Sequence, residues 1–244
     1  MTLPIDEKLK VGIQTIHREP DDQHGPWLPK IDELVDFVQL VDKSGFDSLW
    51  VGDHLSMPLP FFDPFQQLAQ AAVASRRLLL GTSVYLLPLR HPGPVAKQAI
   101  TLDHLSEGRL LFGVGIGGEF PKEYEVAGVP MNERGARLSE SIEVMRELWS
   151  GEPASYNGKF FKFSEVLMTP PPRQEGGPPI WCGGRKEAAF KRMGRLADGY
   201  VSYVVTPEMY RDALVKIEQA ANEENRKLNN FGTGHLIFIR CRSR

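Results

Sequence analysis

Two adjacent residues, Asp53 and His54, have the side chains needed for proton transfer. They directly follow an apolar run at residues 49–51, which is typical of a buried strand. An imidazole titrates near neutral pH and can exchange a proton beside a carboxylate. A helix cap with a hydrogen-bonded surface histidine would use the same two residues, so both interpretations stand at this point.

Small polar residues interrupt the next predicted strand at residues 81–85. Thr82, Ser83 and Val84 are candidates for a bulge, or for a close approach of the backbone to a planar ligand. The alternative is a packing detail of the strand.

A turn with two glycines offers a candidate phosphate site. Cys182, Gly183, Gly184 and Arg185 lie between a predicted strand and a predicted helix. Backbone N–H groups, a helix N-terminus and neighbouring cations suit one phosphate group. Glycines also serve tight turns between strands and helices, which is the alternative.

Residues 113–119 combine glycines with one carboxylate. Gly115, Gly117 and Gly118 would leave room for a large ligand, and Glu119 is either a catalytic acid or a solvated side chain. The segment also matches the dinucleotide pattern G-x-G-x-x-G, which requires a long helix directly afterwards and an acid closing the next strand. Pro121 and the run at 128–130 interrupt such a helix, so the dinucleotide interpretation fails.

Metal and hydrolase sites find no support in the sequence. The other histidines have neither i, i+4 partners nor neighbouring cysteines: His17, His24, His91, His104 and His235. Two cysteines, Cys182 and Cys241, are too few for a disulfide framework, and we expect no metal site. No G-x-S-x-G elbow is present, so covalent hydrolysis is disfavoured.

Composition and charge disfavour two kinds of partner. The 244 residues are 41% hydrophobic and 25% charged, which describes a globular chain with a full core. With 29 Lys+Arg against 31 Asp+Glu, the chain offers no basic field for nucleic acid. The longest apolar segment, residues 78–89, is broken by glycine, polar residues and proline. We therefore expect a cytoplasmic protein without a membrane span.

Alternating strands and helices must position the candidate residues. Strands are predicted at residues 10–14, 48–52, 78–86, 110–115, 179–182, 200–204 and 236–240, and helices at 30–43, 64–75, 94–105, 133–149, 186–196 and 207–222. Gly45 can end the first helix, and Thr206 with Pro207 can begin the last.

The segment 151–178 departs from this alternation. Asn157-Gly158 predicts a hairpin with a two-residue type I′ turn, and clusters of proline and glycine follow. A loop of this length is either a lid or binding loop, or surface decoration.

Repeated βα units leave two architectures, an open doubly wound sheet or a closed parallel barrel. Because the dinucleotide pattern lacks its context, the sequence favours a TIM-type (β/α)8 barrel, an α/β fold, with residues 1–244 as one domain. The loops after the carboxyl ends of barrel strands build the active site, and all four candidate segments lie there.

An ordered set of motifs spans residues 10–240: GFDSLWVGDH at 45–54, LGTSV at 80–84, RHP at 90–92, LDHLSEGR at 102–109, GVG at 113–115 and ADG at 197–199. The set resembles the bacterial luciferase-like monooxygenase superfamily, and within it the coenzyme F420-dependent oxidoreductases. The resemblance implies a deazaflavin or flavin ring across the carboxyl ends of the strands, with its phosphate near Gly183 and Gly184.

Individual roles also follow from the resemblance. Asp53 and His54 match the strand end that contacts the ring, where the histidine assists proton movement or stabilises the reduced ring. We expect His54 to be the main catalytic residue, with Asp53 orienting it. Thr82, Ser83 and Val84 match a bulge that contains a non-proline cis peptide in F420-dependent relatives.

Two features differ from the family pattern. A catalytic acid of some relatives aligns near Gly117 and Gly118, and Glu119 reaches that position only with a one-residue shift. Relatives also have an eighth strand and helix after the strand predicted at 236–240, so we expect a barrel of seven strands that lacks the last βα unit.

The function implied is hydride transfer between F420 and a small organic substrate. An FMN-dependent monooxygenase is one alternative, because both cofactors share recognition of a phosphate and a ring. A non-enzymatic flavin-binding or degenerate barrel protein is another. The resemblance further implies a homodimer.

Overall fold

The structure is a computed structural model that describes residues 9–15 and 30–238. In these ranges the strands are β1 Gly12–Gln14, β2 Ser48–Val51, β3 Leu79–Thr82, β4 Leu110–Val114, β5 Ala154–Asn157, β6 Lys162–Val166, β7 Ile180–Gly183, β8 Gly199–Tyr203 and β9 Gly232–Leu236. The α-helices are α1 Ile31–Lys43, α2 Pro64–Ala74, α3 Pro92–Leu105, α4 Pro121–Ala127, α5 Arg134–Leu148, α6 Glu187–Leu196 and α7 Pro207–Glu223. None of these helices is both long and apolar enough to cross a membrane.

Seven parallel strands form one sheet in the order β1-β2-β3-β4-β7-β8-β9. The order follows the chain without the reversal of a doubly wound sheet, which confirms the barrel and excludes the dinucleotide fold. The sheet curls around a cavity of about 710 Å³ lined by residues of both β1 and β9. Within the described residues, β1 and β9 are its two edges, as expected for a barrel of seven strands.

Two tryptophans occupy the inner face of the sheet. Trp50 pairs in register with Gly81, where an added Cβ would lie 2.2 Å from the Trp50 ring. Trp181 covers Gly199 and Gly232 in the same way. A Cβ added to these glycines would lie 2.6 and 2.1 Å from the Trp181 ring. The glycines are therefore required because the indoles fill the space that side chains would take.

The outer face of the sheet packs under the helices. Leu49, Leu80, Phe112 and Ile180 are at most 1% exposed and join one apolar cluster with helix residues such as Ile100. The inner face is apolar as well, with the partly buried Trp50, Leu111 and Trp181 lining the cavity. Apolar residues on both faces explain the continuous apolar runs of these strands.

The two helix ends predicted from Gly45 and Thr206 are confirmed. Gly45 has a φ of +83° just after α1, and the Thr206 hydroxyl accepts a hydrogen bond from the Met209 N–H at 3.2 Å. Asp63 caps α2 by accepting from the Phe65 N–H at 3.1 Å.

Several predicted boundaries are wrong. The strand expected at 78–86 ends at Thr82, and the last strand lies at Gly232–Leu236 rather than 236–240. The apolar pattern misses β9 because Gly232 and Gly234 face Trp181. Residues 239 and 240 lie outside the described residues. Helix α4 was not predicted, since it has only seven residues, beginning at Pro121 and ending just before Gly128.

The segment 151–178 contains the expected hairpin, formed by antiparallel β5 and β6. The predicted two-residue turn is wrong, because Asn157 pairs with Lys162 and four residues connect the strands. Neither Asn157 nor Gly158 has the positive φ that a type I′ turn requires. Instead, the Glu140 carboxylate on α5 accepts hydrogen bonds from the N–H groups of Phe160 and Phe161, both at 2.8 Å.

Candidate functional site

All four predicted segments lie at the carboxyl ends of neighbouring parallel strands. Residues 53–54 follow β2, 83–84 follow β3, 115–119 follow β4 and 184–185 follow β7. We call the opening at this end of the barrel the mouth. Active sites of such barrels are built at this end.

Asp53 is held by an arginine and by a backbone N–H. Its Oδ2 accepts from Arg90 Nη1 at 2.6 Å and from the Leu86 N–H at 2.8 Å, and its Oδ1 accepts from Arg90 Nη2 at 2.9 Å. Burial alone would lower the pKa of Arg90, but the hydrogen bonds and charge of Asp53 outweigh it and raise that pKa. No hydrogen bond joins Asp53 to His54 in the described part of the chain, so the expected orienting contact is not formed.

The imidazole of His54 contacts a carboxylate that the sequence analysis missed. Its Nδ1 lies 3.2 Å from Oε1 of Glu123 on α4, whose side chain is 0% exposed. The rings of Phe61 and Phe120 approach the imidazole edge to face, at centroid distances of 4.9 and 5.3 Å. His54 thus sits in a largely apolar enclosure with one buried acid.

Ser83 and Val84 form a shelf at the mouth, and the peptide bond between them is cis, as the resemblance implies. The side chain of Val84 lies over two glycines. An added Cβ on Gly115 or Gly183 would come within 2.4 or 3.0 Å of a Val84 methyl group. These glycines therefore let Val84 sit against the ends of β4 and β7. Ser83 also lines the barrel cavity.

The side chains of Thr82 and Cys182 do not reach the mouth. Thr82 is 0% exposed and its hydroxyl donates to the Gly113 carbonyl at 2.6 Å. Cys182 is 1% exposed, and burial raises the pKa of its thiol to about 12. Any contact of these two residues with a ligand is therefore limited to their backbone.

Arg185 and Glu119 are joined across the mouth by Tyr203, at the end of β8. The guanidinium of Arg185 lies 4.6 Å from the Tyr203 ring centroid, and its Nη2 is 3.4 Å from the phenolic oxygen. That hydroxyl donates to Glu119 Oε1 at 2.7 Å. Burial, and then the contact with Glu119, raise the pKa of Tyr203. Glu119 is exposed, which agrees with the prediction of a solvated side chain, but it also accepts the hydrogen bond from Tyr203.

Gly117 and Gly118 turn the chain toward α4. Their φ values are +59° and +115°, conformations that favour glycine. An added Cβ would approach Leu86 at Gly117 and Arg134 at Gly118, at 3.1 and 3.3 Å. The two residues thus shape the loop that carries Glu119.

The turn after β7 keeps the features of a phosphate site. Gly184 has a φ of +151°, and an added Cβ would lie 2.5 Å from the Ala189 side chain. Arg185 and Lys186 follow directly and precede α6. Backbone N–H groups and two cations therefore stand at one edge of the mouth.

The cavity runs from Asp47 and Leu79, near the amino ends of the strands, to Gln14, Ser83 and His235 near their carboxyl ends. The amide oxygen of Gln14 is buried and has no hydrogen-bond partner among the described residues. A ring N–H would satisfy this acceptor, since a buried polar atom without a partner is costly. No group of three or more metal-binding side chains occurs in the described ranges. The residues present thus fit a ring with a phosphorylated tail.

Comparison with known proteins identifies the family. Residues 9–243 match the model of the luciferase-like monooxygenases. The chain is 31% identical over 224 residues to an F420-dependent glucose-6-phosphate dehydrogenase from Nakamurella multipartita, covering 87% of this chain and 63% of that protein. It is 33% identical over 156 residues to the oxygenase component of a flavin-dependent trigonelline monooxygenase from Acinetobacter baylyi, covering 63% of this chain and 43% of that protein. The chain thus spans less than two thirds of the length of either relative.

A solved structure supports the same relationship. A monooxygenase from Streptomyces bottropensis superposes with a TM-score of 0.79 at 26% identity, covering 93% of this chain and 70% of that one. The sequence match and the parallel barrel therefore agree, and the chain belongs to the luciferase-like monooxygenase family.

Proposed function

We propose that this protein is an oxidoreductase that moves a hydride between coenzyme F420 and a small organic substrate. The observation that carries the proposal is the mouth itself, where the shelf of Ser83 and Val84, the glycine turn after β7 and the imidazole of His54 share one end of the barrel. The F420-dependent relative, which matches over 87% of the chain, supports F420 rather than FMN.

Each part of the mouth has a separate task in this proposal. The backbone of Ser83 and Val84 supports the ring, while the N–H groups around Gly184 and the cation of Arg185 bind the phosphate. When bound, the cofactor supplies a carbon that accepts or donates a hydride. His54 takes the hydroxyl proton of an alcohol as its carbon loses the hydride, and returns that proton in the reverse direction.

An FMN-dependent monooxygenase is the second candidate. The trigonelline monooxygenase component supports it, and the same glycine turn and cations suit the phosphate of FMN. The third alternative is a barrel that binds a flavin without catalysis. We also propose a homodimer, which light scattering of the purified protein would test against a monomer.

Binding and turnover separate the three candidates. Purified protein is titrated with F420 and with FMN, followed by fluorescence, and then assayed with each reduced cofactor and with small alcohols and carbonyl compounds. Tight binding and turnover with F420 support the proposal. Oxygen-dependent turnover with FMN would favour the monooxygenase, and binding without any turnover would favour the non-enzymatic barrel.

A matched pair of variants locates the phosphate. Arg185→Ala removes the cation beside the glycine turn, whereas Arg173→Ala removes an exposed cation in the segment 151–178. We expect Arg185→Ala alone to weaken cofactor binding, by about tenfold or more for one charge-assisted contact. Equal affinities in the two variants would remove Arg185 from the site.

A further inference from the structure

Glu123 is a buried acid whose contacts converge on a single oxygen. Its Oε1 accepts hydrogen bonds from the Leu55 N–H at 2.7 Å and from the Ser56 N–H at 3.3 Å, and lies 3.2 Å from His54 Nδ1. Its Oε2 is also buried and has no hydrogen-bond partner among the described residues. All these contacts of the carboxylate are therefore with residues 54–56, just after the end of β2.

The two ring nitrogens of His54 consequently have different surroundings. Nδ1 faces Glu123, while Nε2 has no hydrogen bond within the described residues and is not among their buried atoms without partners. A carboxylate oxygen that already accepts two backbone N–H groups can only accept from the imidazole, so it favours a proton on Nδ1. Nε2 is then the nitrogen that can take a proton.

We propose that Glu123 is the positioning residue for His54, fixing the tautomer with hydrogen on Nδ1 and leaving Nε2 to exchange the substrate's proton. The inference rests on the proposed function for the identity of that proton, and on the contacts of Glu123 for the tautomer. Asp53, the adjacent acid in sequence, cannot serve in this way because it is paired with Arg90 at 2.6 and 2.9 Å.

The first test uses the unmodified protein without a cofactor. Nitrogen-15 NMR of the histidine rings distinguishes the two neutral tautomers, and a spectrum of His54→Gln identifies the His54 signals among the six histidines. At a pH where the ring is neutral, we expect the tautomer with hydrogen on Nδ1. The tautomer with hydrogen on Nε2 would overturn the proposal, whatever the turnover proves to be.

The second test removes the acceptor. Glu123→Met keeps the side-chain length without an acceptor oxygen, and Glu125→Gln changes an exposed acid of the same helix that pairs with Lys122 at 2.5 Å. In a folded Glu123→Met variant, we expect His54 to lose the Nδ1–H tautomer and turnover to fall about tenfold or more, with unchanged cofactor affinity. An unchanged tautomer would overturn the proposal. If Glu123→Met does not fold, the tautomer of the unmodified protein decides.

This design separates two kinds of failure. The tautomer is measured without cofactor or substrate, so it tests Glu123 alone. Absence of F420 turnover in the unmodified protein would instead refute the proposed function and leave the positioning of His54 intact.

Discussion

The guanidinium of Arg90 donates two hydrogen bonds to the carboxylate of Asp53, at 2.6 and 2.9 Å. Asp53 also accepts from the Leu86 N–H, so one buried acid connects the end of β2 with residues 86–90. Those residues follow the shelf of Ser83 and Val84. The ion pair therefore fixes the distance between the strand end that carries His54 and the proposed support for the ring.

Removal of Arg90 should be severely destabilising. Arg90→Ala leaves Asp53, which is 3% exposed, without its partner, and breaking a buried pair costs about 3–5 kcal/mol. Arg76→Ala is the matched control, because Arg76 and Glu107 form an exposed pair at 3.2 Å that should contribute at most about 1 kcal/mol. Urea unfolding gives both free energies. Equal losses would contradict a structural role for the Asp53–Arg90 pair.

His54→Ala should slow turnover far more than it weakens cofactor binding. A positioned general acid or base accounts for roughly 10²–10⁴-fold in rate, whereas the imidazole contributes only a small part of the cofactor contact. His104→Ala serves as control, since His104 is exposed and bonds to the Pro171 carbonyl. The measurements are the cofactor dissociation constant and the turnover rate. An unchanged rate in His54→Ala would exclude His54 from the mechanism.

Gly115→Ala should displace the Val84 side chain from its position against Gly115 and Gly183. The added methyl group would lie 2.4 Å from a Val84 methyl, and the branched side chain has little freedom to move aside. We expect at least about tenfold weaker cofactor binding, equivalent to about 1.4 kcal/mol.

A second substitution tests this cause. Val84→Ala in the Gly115→Ala background removes the opposing methyl groups and should restore part of the affinity. Gly176→Ala is the control for steric contact, because no atom lies within 4 Å of an added Cβ there, and its positive φ makes it the more demanding position for the backbone. If Gly115→Ala binds the cofactor as well as the unmodified protein does, the shelf does not support the ring.

The positions of the candidate residues followed from local patterns in the sequence. An apolar run ending in polar residues placed Asp53 and His54 at a strand end, whereas Ser83 was expected at a bulge within a strand that in fact ends at Thr82. Parallel strands bring such ends together. Tyr203 could have been found in the same way, because it lies at the end of a predicted strand. What the pattern cannot provide is the partner of each side chain.

Those partners are distant in the chain. Asp53 pairs with Arg90, 37 residues away, and His54 contacts Glu123, 69 residues away. Glu123 lies on α4, whose seven residues are too few for a recognisable helical period. The sequence therefore predicts that the neighbouring acid Asp53 orients His54. In the folded protein, the acid that contacts His54 is Glu123.

Glu140→Ala should loosen the hairpin of β5 and β6. The Glu140 carboxylate is 9% exposed and accepts three backbone N–H groups, from Lys159, Phe160 and Phe161. Hydrogen bonds to a charged group contribute about 1.5–3 kcal/mol, so we expect a loss of roughly 2–4 kcal/mol and faster proteolysis near residue 159. Glu152→Ala, at an exposed position of the same segment, should change neither. Unchanged proteolysis in Glu140→Ala would contradict the anchoring role.

Stability should fall as the pH rises above about 9, partly because of Cys182. Burial raises the pKa of this thiol from 9.0 to about 12, so the folded protein keeps its proton while the unfolded chain releases it. The contribution of this thiol to the free energy of unfolding is fully present below pH 9. It declines between pH 9 and 12, by at most about 1.4 kcal/mol per pH unit. Burial raises the pKa of Tyr124 to about 12 as well, which adds to the decline from pH 10.

Cys182→Ala isolates the contribution of the thiol. The variant should be less stable at pH 8 because it creates a small cavity, yet its further loss between pH 8 and pH 10 should be smaller than that of the unmodified protein by about 1 kcal/mol. Val144→Ala, at a position 1% exposed, creates a cavity without removing a titratable group and should keep the full decline. Urea unfolding at the two pH values measures this difference. If both variants decline alike, the unfolded chain does not release the Cys182 proton more readily than the folded protein, and burial does not control this thiol.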